Sequence, residues 1–442
     1  MKLLRLLFIF LICVDAYAQQ HPIADLRATG SQRYSAEDII RAAGLEKTKN
    51  PVALNAVKEA AERLVASGAF REVGYRHTAV LGGMRVEFQV ADADSFVPAS
   101  FENIVWLPPA ELQAEVRKRV PLFQGTLPGK TESNLPDLVA TAVQAILAER
   151  GVKTRVSVTP KTDADAVTAF LFRADDVTVR IGRFDFTGAS PALGQALEIA
   201  SRESVGKAYD RTSLAAFIQH SLLPVYRSRG YLRAAFGEPD VKVLTQEGNE
   251  ATLNVSLPVT EGAAYRFDSL TWSGNQVLST DVLNAYINLQ PGQPMNAVQL
   301  EQDLGKLRAD YGQKGYMNIR VEPQPRFDEA NARVRYEIAV SEGELFNMGK
   351  LDISGLTRLS ADLVRQRWRL REGEPFDPGY VQRYFAENPL PEGVTCAFER
   401  SAGEAPNTID LTLIFCREGK KCTPATMDLI ELPNNEPRRR RR

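Results

Sequence analysis

The sequence predicts an α+β protein of five tandem β-α-α-β-β units, each a three-stranded sheet with two helices on one face. Three observations predict it. Short alternating strands ending in glycine recur, with Gly188, Gly274 and Gly355 lying 86 and 81 residues apart. A second set, Gly68, Gly151, Gly230 and Gly315, ends helix-like stretches at separations of 83, 79 and 85 residues. Between these markers the apolar spacing changes from two, as in a strand, to three and four, as in a helix, and back. Two independent markers holding one period over most of a chain indicate a repeat architecture.

Taken in order, residues 1–18 read as a cleaved secretory signal peptide. Lys2 and Arg5 precede the apolar run Leu6 to Val14, and Ala16-Tyr17-Ala18 is a small-x-small cleavage site. The run is less than half the ~20 residues that span a bilayer, and Ile12 is too bulky for lipoprotein processing at Cys13. Repeat one (22–94) opens on Ala24 to Gly30. Ser35 stands before Ile39 and Ile40, and Val57, Leu64 and Val65 mark a second helix. Repeat two (98–175) diverges. Phe101 to Trp106 fills the strand slot, Leu107-Pro108-Pro109 replaces the glycine, and Leu135, Leu138, Val139, Ala142 and Ile146 form the later stripe. Repeat three (178–262) carries Leu214, Phe217, Ile218 and Leu222, followed by Pro224, which should interrupt that helix.

Repeat four (264–343) is the clearest. Ser279 is an N-cap candidate before Val282, Leu283, Tyr286 and Ile287. Pro291-Gly292 breaks the chain, and Asn296 with Gln299 has capping-box spacing. Leu300, Leu304, Leu307 and Tyr311 fall on one helical face and Gly315 ends the helix. Ile319 and Val321, then Val334, Tyr336, Ile338 and Val340, alternate as strands. Repeat five (345–417) has Leu363, Trp368 and Leu370, a short second helix at Val381, Tyr384 and Phe385, and a last strand with Ile409, Leu411, Leu413 and Phe415 on one face. A basic tail, 418–442, ends in Arg438, Arg439, Arg440, Arg441 and Arg442.

Composition narrows the function. Without Lys2, Arg5, Asp15 and the five tail arginines, 47 basic and 54 acidic residues remain, a body near −7. Such a body is a poor nucleic-acid binder. The stretch from Gln124 to Thr131 ends like a phosphate-binding loop but has Gln124 where the leading glycine belongs. No Gly-x-Ser-x-Gly or His-Glu-x-x-His occurs, and His21, His77 and His220 are far apart. Catalysis, cofactor, metal and small-molecule substrate are therefore not expected. Cys396, Cys416 and Cys422 remain after export. Cys416 and Cys422 bracket a turn and pair easily, with Cys396–Cys422 as the rival connectivity.

The chain resembles a known family at this point. An exported array of ~80-residue strand-helix-helix-strand-strand units, with Ser-Gly-Asn at 273–275 and Gly-Tyr at 230–231 and 315–316, is similar to an array of POTRA (polypeptide-transport-associated) domains. The similarity is to the periplasmic part of BamA-type outer-membrane assembly proteins. It implies a non-catalytic periplasmic scaffold, peripheral at the outer membrane, for barrel proteins or their assembly machinery. Such a scaffold would act partly by β-augmentation, a partner strand pairing with an open sheet edge. About 25 residues follow Phe415, too few for a membrane barrel whose strands take ~9–11 residues each.

The edges expected to bind are Leu232 to Phe236 in repeat three (Leu232, Arg233, Phe236) and Asn318 to Glu322 in repeat four (Asn318, Ile319, Arg320, Val321), with Pro323 and Pro325 as protection beyond. The arginine tail suits anionic headgroups or an acidic partner, or stands as a solvated end. Two other function classes compete: an envelope adaptor binding one folded partner, and an exported enzyme. The scaffold predicts affinity for extended apolar-alternating peptides, the adaptor a single folded partner, and the enzyme turnover lost on changing one polar residue.

Overall fold

The computed structural model describes residues 20–45 and 48–419. Residues 1–18, Cys422 and Arg438 to Arg442 lie outside them. Repeat one holds β1 (Gln20–Thr29), α1 (Ala36–Ala43), β2 (Thr48–Ala53), α2 (Leu54–Ala66), β3 (Phe70–Val80) and β4 (Gly83–Asp92). Repeat two holds β5 (Phe96–Phe101), α3 (Pro109–Arg119), β6 (Thr126–Pro128), α4 (Leu135–Glu149), β7 (Val156–Asp163) and β8 (Ala166–Ala174). Repeat three holds β9 (Thr178–Thr187), α5 (Pro191–Ser201), α6 (Arg211–Phe217), α7 (Leu223–Arg227), β10 (Ala235–Phe236), β11 (Asp240–Glu247) and β12 (Glu250–Thr260). Repeat four holds β13 (Arg266–Ser273), α8 (Thr280–Tyr286), α9 (Ala297–Gln313), β14 (Arg320–Asp328) and β15 (Arg333–Ser341). Repeat five holds β16 (Asn347–Ser354), α10 (Arg358–Arg367), α11 (Tyr380–Glu387), β17 (Val394–Ala402) and β18 (Thr408–Arg417).

Each repeat forms its own open sheet with one topology. The last strand is central, the first strand runs parallel along one side, and the strand before the last runs antiparallel along the other. A parallel neighbour needs a long crossover, and the helices between the first and third strands supply it. The expectation of three strands per sheet needs correcting in repeats one to three, which carry a fourth. In repeats one and two the extra strand is the segment between the two helices, which lies antiparallel on the outer side of the first strand. The same segment is a single bridge in the others, Arg180 to Ala208, Arg266 to Pro294 and Asn347 to Pro375. Pro294 and Pro375 have no N–H with which to lengthen it. The loop from Gln124 to Thr131 is this segment in repeat two; Gly125 O accepts from Ala99 N and Gly129 N donates to Ser95 O.

The chain packs as two compact units, one ending at Leu222 and taking in Phe236–Val259, the other made of Leu223–Ala235 and the chain from Thr260 on. In the first, the helices of repeats one and two share one core with β4 and β8, centred on Leu64, Val86, Phe88, Val139, Ile146 and Phe172. In the second, Leu300, Leu304, Leu307 and Tyr311 of α9 all point into the core of repeat four, as their spacing requires. Repeat five has its own core around Phe376, Leu413 and Phe415.

Local signals act as expected, with two differences. Ser35, Ser279 and Asn296 cap their helices through Asp38 N, Val282 N and Gln299 N. Gln299 does not complete the capping box; its amide instead donates to Asp303 Oδ1 at 2.9 Å. In repeat two Leu138 is largely exposed, although it belongs to the apolar stripe. Before Pro224 the helix widens into a π turn over Ile218–Leu222, which accommodates the missing N–H. Among the described residues no helix is long and apolar enough to cross a membrane.

Asp303 organises repeat four. Its carboxylate is buried and accepts from Asn288 N (2.8 Å), Asn288 Nδ2 (3.0 Å), Gln299 Nε2 (2.9 Å) and Lys306 Nζ (3.3 Å). Burial alone would raise its pKa, but these donors outweigh it and hold the carboxyl below its usual value. A depressed folded pKa means stability present above the unfolded value of ~3.9 and lost as pH falls through the folded one. Asp303→Asn should destabilise this repeat by ~1–3 kcal/mol and flatten its acid dependence below pH 4. Urea unfolding followed at Trp272, with Trp106 and Trp368 replaced by Phe, checks both; an unchanged acid limb would refute the assignment.

Candidate interaction surfaces at the sheet edges and repeat joints

The two joints of the second unit are built alike. Gly230 and Gly315 have left-handed backbone, φ 93° and 89°. A Cβ on either would collide with the carbonyl of the residue just before the next repeat's first strand, Tyr265 or Phe346. Gly230 O accepts from Tyr265 N (2.8 Å), and Tyr265 O then accepts from Met295 N (2.9 Å). Gly315 O, Phe346 and Phe376 N repeat the chain at 2.9 and 2.8 Å. Beside each glycine two tyrosines meet edge to face, Tyr226 with Tyr231 and Tyr311 with Tyr316, both at 6.0 Å between centroids. A glutamate closes each joint. Tyr226 Oη donates to Glu261 (3.1 Å) and Tyr311 Oη to Glu342 (2.8 Å). Glu342 also accepts from Gln276 N and Val277 N at 2.9 and 2.8 Å. Burial, then the neighbouring carboxylate, pushes both phenols above their ordinary value.

These contacts relocate several of the residues expected at edges. Leu232 and Arg233 form a turn and not a strand, because the chain still rounds the joint after Gly230-Tyr231. Leu232 packs on the repeat-four core. Arg233 pairs with Glu329 at 2.6 Å and lies over the Phe327 ring at 4.3 Å, so it is bound within the molecule. Phe236 belongs to the two-residue β10. Gly237 and Pro239 interrupt the chain after it, and the long edge strand of repeat three is β11. In repeat four Asn318 is in a turn, Ile319 packs on the core, and the strand starts at Arg320. Val321 is buried, which leaves Asn318 in the turn and Arg320 on the strand as the exposed side chains of the four.

The edges differ in what their backbones offer. Along β14 the Val321 carbonyl accepts from Arg308 Nη2 at 3.0 Å, so it faces away from β15. Pro323 and Pro325 share that direction by the two-residue period, and the outer edge there lacks two N–H groups. Strand β11 has no proline, and only a bulge at Leu244 interrupts its pairing with β12. A cavity of about 430 Å3 lies against it, walled by Phe101, Ile104, Val105, Trp106 and Leu107. Five successive residues, Pro239 to Val243, also line it. Successive strand side chains alternate faces, so the cavity meets β11 along its edge. Among the described residues the buried Trp106 indole N–H has no hydrogen-bond partner. Strand propensity and the Pro108-Pro109 break pointed to this segment only as a divergent repeat, not as a cavity wall.

Cys416 is disulfide-bonded and Cys396 is free, its thiol pushed up to about 12 by burial. Cys422 lies outside the described residues, and its pairing with Cys416 is a proposal. Among the described residues no group of His, Cys, Asp or Glu could hold a metal ion.

Comparison with known proteins bears on repeat four first. Residues 265–343 match the POTRA family model, described as a surface antigen variable number repeat, and this repeat is a POTRA domain. Over 153 residues the chain is 29% identical to a putative outer membrane protein assembly factor of Treponema pallidum, covering 34% of this chain and 18% of that protein. It is 25% identical over 175 residues to the outer membrane protein assembly factor BamA of Neorickettsia risticii, covering 39% and 23%. The chain thus spans less than a quarter of these relatives' length. Among solved structures, POTRA3-5 of Haemophilus influenzae BamA aligns at 20% identity over 53% of this chain and 95% of that one, with a TM-score of 0.42.

Two measurements check these sites. The raised phenol pKa values make the joints' contribution constant below pH 10, the unfolded tyrosine value, and progressively lost above it. Replacing Tyr226 and Tyr311 with Phe should remove part of the stability loss of the second unit between pH 10 and 12, read by urea unfolding. Peptide mapping without reduction should give a Cys416–Cys422 peptide and a free Cys396; a Cys396–Cys422 peptide would reverse the pairing.

Proposed function

We propose that the chain is a non-catalytic periplasmic scaffold for outer-membrane protein assembly or export, binding extended polypeptide by β-augmentation. The observation that carries this reading is the proline-free edge of β11 beside an apolar cavity. A segment pairing with β11 gains main-chain hydrogen bonds, and every second side chain can fill a pocket. The cavity supplies that pocket. The names of the relatives, assembly factors of outer-membrane proteins, supply the client class. The signal-like start, Lys2 to Ala18, supports the periplasm. The basic sequence Arg438 to Arg442 suits anionic headgroups or an acidic partner, at ~1 kcal/mol for each group held near such a surface.

The competing adaptor reading predicts a different contact set. Photo-crosslinkers placed in cells at Lys242 on β11 and at Gln324 on β14 separate the two. We expect many barrel proteins captured at Lys242 and few at Gln324. One recurring folded envelope protein at Lys242 would favour the adaptor, and no adduct there would sink the β11 assignment.

A further inference from the structure

Between the helix layers of repeats one and two lies a second cavity, about 480 Å3, with a different chemistry. Its walls are aliphatic, formed by Val120 and Leu122 after α3 and by Leu135, Leu138, Ala142 and Ala145 of α4. The two hydroxyls on it are already spent, Ser67 Oγ on Leu64 O (2.6 Å) and Thr141 Oγ1 on Asp137 O (2.9 Å). Asn134 and three guanidiniums, from Arg41, Arg63 and Arg119, supply the rest of the polar lining.

The three are not equivalent. Arg119 is neutralised by Glu115 (3.2 Å) and Glu149 (2.8 Å). Among the described residues Arg41 donates only to the Lys118 carbonyl, at 2.8 Å, and Arg63 only to the Ala43 carbonyl, at 2.9 and 2.7 Å. Among the described residues neither has a carboxylate partner. These bonds cap helix ends, which explains the position of the side chains but not two uncompensated charges beside an apolar cavity. A guanidinium has five N–H donors, so each retains several for another acceptor. Leu138, about half exposed and outside the core cluster, adds apolar surface to the same wall.

We infer that this cavity binds a single-chain amphiphile with an anionic head, of the fatty-acid carboxylate class. The aliphatic stretch of wall selects an alkyl chain, each buried methylene contributing ~0.8 kcal/mol. The charge on Arg41 and Arg63 selects an anion, and a planar carboxylate matches the guanidinium fork. The volume falls in the lower half of the ~300–1,000 Å3 range of small-ligand sites, which favours one chain over two. This inference is independent of the β11 reading.

Titration calorimetry of the full chain with monomeric dodecanoate tests it. Saturable one-site binding is expected, at least tenfold tighter than for dodecyltrimethylammonium. Arg41→Gln with Arg63→Gln should weaken dodecanoate tenfold or more while leaving dodecanol little changed. Leu138→Glu, at an exposed position that core packing does not need, should weaken both. Absence of saturable binding, or equal dodecanoate affinity in the native chain and in both variants with native circular dichroism, would overturn the proposal. So would adsorption to phosphatidylglycerol vesicles without binding of the monomer.

Discussion

The interaction on which the second unit depends is a backbone hydrogen bond between consecutive repeats. Gly230 and Gly315 each offer a carbonyl to the residue just before the first strand of the repeat that follows, Tyr265 N or Phe346 N. Only a residue without Cβ can come that close, and the left-handed φ adds a second reason for glycine. The donor's own carbonyl is then taken by the segment between the next two helices, at Met295 N or Phe376 N. One chain of bonds therefore fixes the end of a helix, the start of a strand and the helix connection beyond it. The tyrosine pair and the glutamate seal that chain from water, which makes each bond costlier to break.

This construction has a consequence for binding. The outer side of each first strand is occupied at its start by the inter-helix segment, as a strand in repeats one and two and as a bridge in the rest. The free edge of a repeat is then the strand antiparallel to the central one. Exposed edges are a hazard that proteins blunt. Repeat four blunts its edge with Pro323, Pro325 and Arg308, while repeat three uses only the bulge at Leu244. That contrast, and not propensity, separates a protected edge from one open to a partner.

Much of the fold was legible because the repeat imposes the same physics five times. The stripe from Leu300 to Tyr311, the caps at Ser279 and Asn296 and the interruption at Pro224 are local, and the structure follows them. The fourth strands were not legible, since pairing of Thr126–Pro128 with β5 is decided by tertiary contact across an ordinary loop sequence. The edge residues were read one turn early. Leu232 and Ile319 follow Gly-Tyr and alternate like strand residues, yet the chain first turns around the joint, and their side chains fill the core there. Arg233 looked available because its partners, Phe327 and Glu329, lie almost a hundred residues away.

Neither cavity could be seen in the sequence, because the residues that wall each one are far apart along the chain. Trp106 and Val241 are apolar residues of two repeats, each unremarkable in its own pattern, and only the packing of repeat two against repeat three puts them on one wall. Arg41, Arg63 and Arg119 sit at the last turns of three helices, where basic residues favour the helix dipole and call for no further account. What the fold adds is convergence. Two helices of repeat one and the first helix of repeat two bring the arginines of their last turns to one apolar space. A repeat array thereby concentrates at its joints the side chains that a single repeat would scatter.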